Sequence, residues 1–302
     1  MTEKPLVTIA CLCYNQGRFV VESLESIKSQ TYTNYEVLII DDFSQKDNSV
    51  EIINDWIKKN TEINITFIKH LQNKGICNSI NELLDLSKGK YFQMLALDDV
   101  LLPWKLEKHV EILENSMDNE VLVFTDAYLM DENSILYQNR FIATHKNYLS
   151  LKTGNFFDEL LKGMFIPGMT VLLKTDIIKS VGGWDNDLLY EDYDMWLRLS
   201  EKGYDFIFDT DLSCKYRLHS QNTHKNSSLF GAPTFQIYLK FSNYPKVHKI
   251  LRENLEATYR GKNLTTEHKL YFSRFKAKKI SDYFIKYNLP VIGYRVLRFF
   301  RL

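Results

Sequence analysis

Over the first hundred residues, apolar runs of strand length alternate with segments of helical period, and three of the runs end in paired polar side chains. The run Leu6–Cys13 ends at Tyr14-Asn15, and residues 16–29 follow with Phe19, Val20, Leu24 and Ile27 at helical spacing. A second strand is expected over Glu36–Ile40, ending in Asp41-Asp42, and a helix from Asp47 to Lys59 through Val50, Ile53 and Ile57. The same order repeats over Ile63–Ile68 and Cys77–Ser87, with a stop signal at Lys88-Gly89. A fourth strand, Tyr91–Leu97, ends in Asp98-Asp99, and Pro103 begins another helix. This β-α-β-α order predicts a largely parallel sheet with helices on both faces. Ligands of open α/β sheets bind beyond the carboxyl ends of the strands, so the polar pairs mark the expected site.

The pattern weakens further on. Glu120–Met130 reads as one strand, residues 130–163 as loops with a short helix, Phe165–Lys174 as a strand and Thr175–Val181 as a short helix. Glu191–Lys202 reads as a better helix, burying Met195, Trp196 and Leu199, with strands expected at Asp205–Phe208 and Leu212–Leu218. Beyond Gly231 the chain reads as helices interrupted near Pro245 and Pro290.

Lys+Arg and Asp+Glu both number 38, a balance that argues against a nucleic-acid partner. The charge is unevenly spread: from Gly261 onward ten Lys/Arg face only Glu267 and Asp282, so the tail is net +8 and residues 1–260 net −8. Lys269–Tyr287 mixes these cations with Leu270, Tyr271, Phe272, Phe275, Ile280, Tyr283 and Phe284. Such a segment suits peripheral contact with an anionic membrane surface. It equally suits a helical appendage packed on the main domain, or self-association. Cys11, Cys13, Cys77 and Cys214 form no C-x-x-C pair and read as buried free thiols in a reducing compartment. The start MTEKPLVTIA lacks the marks of a signal peptide, and no run approaches the ~20 apolar residues of a membrane span. A cytoplasmic location is therefore expected, with attachment to the inner face of the cell membrane left open.

Three acidic pairs suggest chemistry. Asp98-Asp99 at a strand end suits a hard divalent cation, Mn²⁺ or Mg²⁺, whose remaining ligands come from phosphate oxygens. Turn or helix-cap duty would produce the same pair. Asp41-Asp42, before Phe43-Ser44, could cap the next helix or accept a hydrogen bond from a nucleobase N–H or ribose hydroxyl. Glu191-Asp192 opens a helix, where the dipole favours acids and would keep a carboxylate ionised as a general base requires. Asp194 faces elsewhere and reads as solvated or structural.

These pairs and their surroundings resemble glycosyltransferase family 2, the inverting family with the GT-A fold. The resemblance covers roughly residues 5–220 and is carried by several motifs. One is the opening PLVTIACLCYNQGRFVVESLESIKSQTYTNYEVLIIDDFSQKDN. Others are Asn73-Lys74-Gly75 with Asn78 and Asn81, Lys88-Gly89-Lys90-Tyr91 before Asp98-Asp99, GGWDNDLLYEDYDMWLRLSEKGY, and Tyr216-Arg217-Leu218-His219. It implies a GT-A catalytic domain over 1–220, with a nucleotide-binding half (1–100) and an acceptor half (101–220), and a basic helical C-terminal region over 221–302.

It also implies roles. Leu12, Cys13, Tyr14 and Asn15 would contact the nucleotide, Asp42 its base, with Lys74 and Asn78 nearby. Asp98 would touch ribose or the donor sugar, Asp99 would ligate the metal, and His219 would join it or contact phosphate. Asp192 would be the catalytic base, with Glu191 positioning the acceptor. The implied activity is transfer of a hexosyl or N-acetylhexosaminyl unit, in polysaccharide biosynthesis for the cell envelope. The donor would be a nucleoside-diphosphate sugar, UDP favoured, and the acceptor a hydroxyl of a glycan or lipid-linked oligosaccharide. Ala96 stands where the family commonly has the first Asp of Asp-x-Asp-Asp, so a nucleotide-sugar-binding protein without turnover is the alternative. An oxidoreductase would need a Gly-rich turn where this chain has Tyr14-Asn15-Gln16-Gly17-Arg18.

Overall fold

The computed structural model describes residues 4–145, 151–188, 190–220, 222, 227–260 and 287. The chain divides into two units, Met1–His219 and Ser220–Leu302. In the first, β1 (Val7–Cys13), α1 (Gly17–Lys28), β2 (Tyr35–Asp41), α2 (Ser49–Lys59), β3 (Ile65–Lys69), α3 (Ile76–Leu86) and β4 (Tyr91–Ala96) follow the expected alternation. Then come β5 (Val100–Leu101), α4 (Lys105–Glu114), β6 (Glu120–Phe124), β7 (Ala127–Met130), β8 (Leu136–Arg140), α5 (Phe141–His145) and α6 (Phe157–Leu160). β9 (Leu172–Lys174), α7 (Thr175–Ser180), α8 (Glu191–Glu201), β10 (Asp205–Phe208) and β11 (Cys214–Arg217) complete the unit.

The main sheet has seven strands in the order β10-β6-β9-β4-β1-β2-β3, and a smaller sheet has the order β5-β11-β7-β8. Strands β4, β1, β2 and β3 are mutually parallel, as are β6 and β10, while β9 runs antiparallel between β4 and β6. β1 and β2 are buried almost throughout, which is why they read as continuous apolar runs and not as alternating ones. All four cysteines are buried free thiols.

Register places the site. Cys13 pairs with Asp41, Asp41 with Lys69, and Leu12 with Ala96, so four strands end level at one rim. The backbone continues the ladder past those ends: Asp42 N–H donates to Cys13 O (2.9 Å), Leu97 N–H to Leu12 O (2.9 Å) and His70 N–H to Asp41 O (3.0 Å). The chain order reverses at β1, with β2 and β3 on one side and β4 on the other, the place where α/β sheets open a crevice.

The second half departs from expectation in three places. The single strand expected over Glu120–Met130 is two strands in different sheets. The break is made by Asp126, whose Oδ1 accepts from Ala127 N–H (2.8 Å) and Ile142 N–H (2.6 Å), in place of a continuing ladder. The strand expected over Phe165–Lys174 is a 3₁₀ turn at Gly168–Thr170 followed by the three residues of β9. Pro167 supplies no backbone donor ahead of that turn. Within 130–163, β8, α5 and α6 replace the expected loops with one short helix.

In the second unit, α9 (Ser227–Lys240) starts ahead of the expected Gly231, and α10 (Pro245–Arg260) starts at Pro245, where an interruption was expected. Val247, Leu251, Leu255 and Tyr259 recur every four residues as the buried stripe of α10. The basic, aromatic stretch and Pro290 lie outside the described residues, apart from Tyr287. Among the described residues no helix is long and apolar enough to cross a membrane.

At the opposite rim the strand starts are tied by side chains. Thr8 Oγ1 donates to Glu36 Oε1 (2.6 Å), Lys88 N–H donates to the same oxygen (2.8 Å), and Gly89 N–H donates to Thr8 Oγ1 (2.9 Å). A Cβ on Gly89 would lie 2.4 Å from Thr8 N and 2.8 Å from Tyr91 O, both backbone atoms. Gly89→Ala is therefore expected to cost about 1–3 kcal/mol as the strands are forced apart. Thermal unfolding should read this as a lower Tm.

Candidate active site

Two groups of side chains stand on the rim, on either side of β1's end. The first gathers around Asp42 (6% exposed). Its Oδ1 accepts from Lys74 N–H (2.8 Å) and meets His70 Nδ1 (2.7 Å), and its Oδ2 accepts from Gly75 N–H (2.9 Å). Asn73 Nδ2 donates to Asp42 O (3.1 Å), and Asn78 Nδ2 donates to Lys74 O (2.9 Å). Lys74 Nζ is paired with Glu82 (2.8 Å). Asn15 is turned to the neighbouring loop: its Oδ1 accepts from Gln45 and Lys46 N–H, and its own N–H donates to Ser44 Oγ (2.7 Å). The side chain of Tyr14, 49% exposed, stands open on the rim.

The second group is built from β4's end, β11 and α8. Asp98 and Asp99 are both buried. His219 Nε2 meets Asp98 Oδ2 at 2.8 Å, and its ring packs on Phe19 (centroids 5.0 Å). Arg217, fully buried, clamps this corner: its N–H donates to Asp99 Oδ1 (2.9 Å) and its Nε to Asp98 O (2.7 Å). Its guanidinium reaches on to Ser134 Oγ (2.8 Å) and Glu22 Oε2 (2.6 Å) and lies over the Phe19 ring. Burial, with the neighbouring Asp98 charge, holds the Asp99 carboxyl well above the usual carboxylate range.

Glu191 and Asp192 open α8, and Tyr193 N–H donates to Asp192 Oδ1 (2.6 Å). Burial, with the Asp192 charge behind it, pushes Glu191 up to about 8; burial pushes Asp192 up to about 6. By surface area both residues are only half-buried, yet their carboxyl groups are densely surrounded by protein, and that surrounding decides the shift. Desolvation thus opposes the helix dipole at both carboxyls of this pair. Asp194 is structural and buried rather than solvated, paired with Arg198 at 2.7 Å.

The two acidic pairs converge. The Tyr216 phenol on β11 is pushed up by burial and then by Asp99, Asp98, Asp192 and Glu191 together. A Cβ on Gly168 would touch both Asp192 Oδ2 (3.8 Å) and Met94 Cε (3.7 Å), which sets the Asp192 carboxylate beside β4. A small void with room for about one water is lined there by Met94, Gly168, Trp184 and Trp196. Asn81 on α3 holds the Gly183-Trp184 turn in place, accepting from Trp184 N–H (2.8 Å) and donating to Trp184 O (2.8 Å).

Among the described residues, no group of three His, Cys, Asp or Glu side chains could hold a metal by itself. Asp98, Asp99 and His219 do lie at one buried corner, with His219 Nε2 engaged by Asp98 Oδ2, and could supply part of a shell for Mn²⁺ or Mg²⁺ that a substrate would have to complete. Their donors are hard oxygens and an imidazole, and the raised proton affinity of Asp99 is what a bound cation relieves. Sequence reasoning missed Glu22, His70, Glu82 and Gly168 as parts of this site. Their partners lie far along the chain, and nothing local marked them.

The family described as Glycosyl transferase family 2 matches residues 8–181. The chain belongs to glycosyltransferase family 2. An uncharacterised glycosyltransferase of Methanocaldococcus jannaschii is 29% identical over 247 residues, 79% of this chain and 81% of the relative. TuaG of Bacillus subtilis, a glycosyltransferase named for teichuronic acid biosynthesis, is 25% identical over 78% of this chain and 88% of its own. Among solved structures, the mannosyltransferase PcManGT of Pyrobaculum calidifontis, in complex with GDP-Man and Mn²⁺, aligns with TM-score 0.63 at 16% identity. That alignment covers 90% of this chain and 80% of that one. S. aureus TarS in complex with UDP aligns with TM-score 0.61 at 15% identity, covering 92% and 77%. The fold of this glycosyltransferase is accordingly GT-A.

The shifted carboxyls give a stability prediction for the metal-free protein. A carboxyl whose folded pKa is raised binds more protons folded than unfolded, so its cost grows as pH rises from the unfolded value to the folded one. For Glu191 that window runs from about 4 to about 8. Glu191→Gln is expected to raise Tm more at pH 9 than at pH 6. An equal gain at both values would show Glu191 to be an ordinary carboxylate.

Proposed function

We propose that this glycosyltransferase inverts the anomeric centre, moving a hexosyl or N-acetylhexosaminyl unit from a nucleoside-diphosphate sugar, UDP-sugar favoured, to a hydroxyl of a glycan or lipid-linked oligosaccharide. What supports this reading most is the convergence of Asp98-Asp99 and Glu191-Asp192 around Tyr216. One pair suits a diphosphate and its cation; the other suits an incoming hydroxyl. The nucleotide complexes of PcManGT and TarS, which share the fold, lend weight to a nucleotide-sugar donor.

At the nucleotide end, the exposed Tyr14 ring offers a stacking face, with the backbone of Leu12 and Cys13 alongside. Asp42 is an acceptor, so it favours a base carrying a ring N–H, as uracil does. Lys74 and Asn78 shape the turn next to it, and Asn15 supports the facing loop. Asp99, with Asp98 and His219, would hold Mn²⁺ or Mg²⁺, which supplies electrostatic stabilisation of the departing diphosphate. Asp98 also stands where ribose or the donor sugar would pass.

At the acceptor end, Asp192 takes the hydroxyl proton as the acceptor oxygen bonds to the anomeric carbon. The bond from that carbon to the diphosphate oxygen breaks, and the nucleoside diphosphate leaves with the electron pair. Attack from the face opposite the leaving group inverts the configuration. A base near 6 is stronger than a free aspartate near ~4 and still ionised at neutral pH. Glu191, whose proton affinity is raised by burial, positions the acceptor beside it. A cytoplasmic enzyme in polysaccharide biosynthesis, touching the inner membrane face through the basic region 221–302, fits a lipid-linked acceptor.

Asp192→Asn is expected to lower turnover by about 10²–10⁴ while leaving binding of UDP with Mn²⁺ nearly unchanged, read by transfer assays and calorimetry. Asp99→Ala should instead weaken metal-dependent nucleotide binding. Equal loss of nucleotide affinity in both variants would overturn this division of roles. Wild-type binding without transfer to any acceptor would favour the non-catalytic reading that Ala96 suggests. Because Asp192 sits above the usual carboxylate range, the acidic limb of the rate profile should fall nearer pH 6 than pH 4.

A further inference from the structure

We propose that His70 and Glu82 are positioning residues for the nucleotide end of the site, fixing the Asp42 carboxylate and the turn at residues 73–75 in the arrangement that receives a base. This rests on the reading of Asp42 as the base contact.

Four side chains close a ring. His70 Nδ1 meets Asp42 Oδ1 at 2.7 Å, and His70 Nε2 meets Glu82 Oε2 at 3.1 Å. Lys74 Nζ donates to that same glutamate oxygen at 2.8 Å, and Lys74 N–H donates to Asp42 Oδ1 at 2.8 Å. His70 is 3% exposed and sits one residue beyond β3, where its backbone N–H extends the ladder to Asp41 O. The Asp42–His70 half of this ring is buried, where polar groups are costly unless satisfied, and Glu82 and Lys74 close it at the half-exposed side.

Two consequences follow for recognition. Oδ1 of Asp42 is filled by His70 and Lys74, and Oδ2 carries only the Gly75 N–H. The acceptor direction that remains is therefore on Oδ2, aimed by the ring and not by Asp42's own rotamer. Lys74, meanwhile, has its ammonium anchored on Glu82, so its part in binding is through its backbone N–H and not as a mobile cation over the diphosphate. Removing His70 frees the carboxylate to rotate and loosens the turn. Removing Glu82's charge releases His70 and Lys74 together.

The test is calorimetric titration of UDP, and separately GDP, with Mn²⁺ into the full chain, with Tm followed for each variant. His70→Ala should weaken binding on the order of tenfold, and Glu82→Gln by about two- to threefold. His70→Asn, whose amide can replace the Nδ1 contact, should recover most of the loss. If His70 acts through Asp42, the double variant Asp42→Asn/His70→Ala binds no more weakly than Asp42→Asn alone. Additive losses, or a lowered Tm with unchanged affinity, would mark a purely structural role and overturn the proposal. Should His70→Ala fail to fold, Glu82→Gln and His70→Asn decide it, since the Glu82 side chain is 33% exposed and does not hold the core. Unchanged affinity in Asp42→Asn would instead remove the base-contact reading on which this stands. A wild type that bound neither nucleotide would remove both.

Discussion

Carboxyl groups buried inside a protein resist ionisation, and Asp99, Glu191 and Asp192 on the rim of this sheet all carry that cost. Asp98 and Asp99 are neighbours in a buried corner, and Glu191 and Asp192 are neighbours at the start of α8. The charge of the buried Arg217 offsets only part of the cost at Asp99. Its two terminal guanidinium nitrogens are directed to Glu22, Ser134 and Asp131 O, while its Nε donates to Asp98 O and its backbone N–H to Asp99 Oδ1. Asp98 is thus paired with His219, and Asp99 is held in place while burial still raises its proton affinity. A corner of this kind gains from any arriving positive charge, and the protein bears the cost of keeping it ready.

The group around Asp42 is built by the opposite means. Asp42 already accepts from Lys74 and Gly75 N–H and meets His70, with one acceptor direction left on Oδ2. One end of the cleft is therefore electrostatically unsatisfied and the other nearly complete. The first gains from an arriving positive charge, and the second has one acceptor direction to offer a donor.

Much of this was legible in the sequence. β1 and β2 are buried on both faces and so read as unbroken apolar runs, and the level strand ends follow from their parallel register. The acidic pairs at those ends were visible because a charge after an apolar run is conspicuous. The second half was less legible, because its boundaries are set by tertiary contacts. Asp126 breaks an apolar stretch by accepting from Ile142 N–H, a residue sixteen positions on. The proton affinity of Glu191 depends on what packs around it, which helix position alone could not give. His70 looked like any polar residue after a strand, since its two partners come from another strand end and from α3.

The antiparallel β9 bears on how the chain assembles as it is made. Its three residues fill the space between β4 and β6, pairing Leu172–Lys174 with Tyr91–Gln93. Until that short segment leaves the ribosome, β4 is an open edge with unpaired amides and carbonyls, the kind of edge that recruits foreign strands. About 80 residues separate the two, so at ordinary synthesis rates the edge stays uncovered for roughly 4–16 s. The first hundred residues are thus a sheet in waiting, and a fragment ending there would be prone to stick to its own copies.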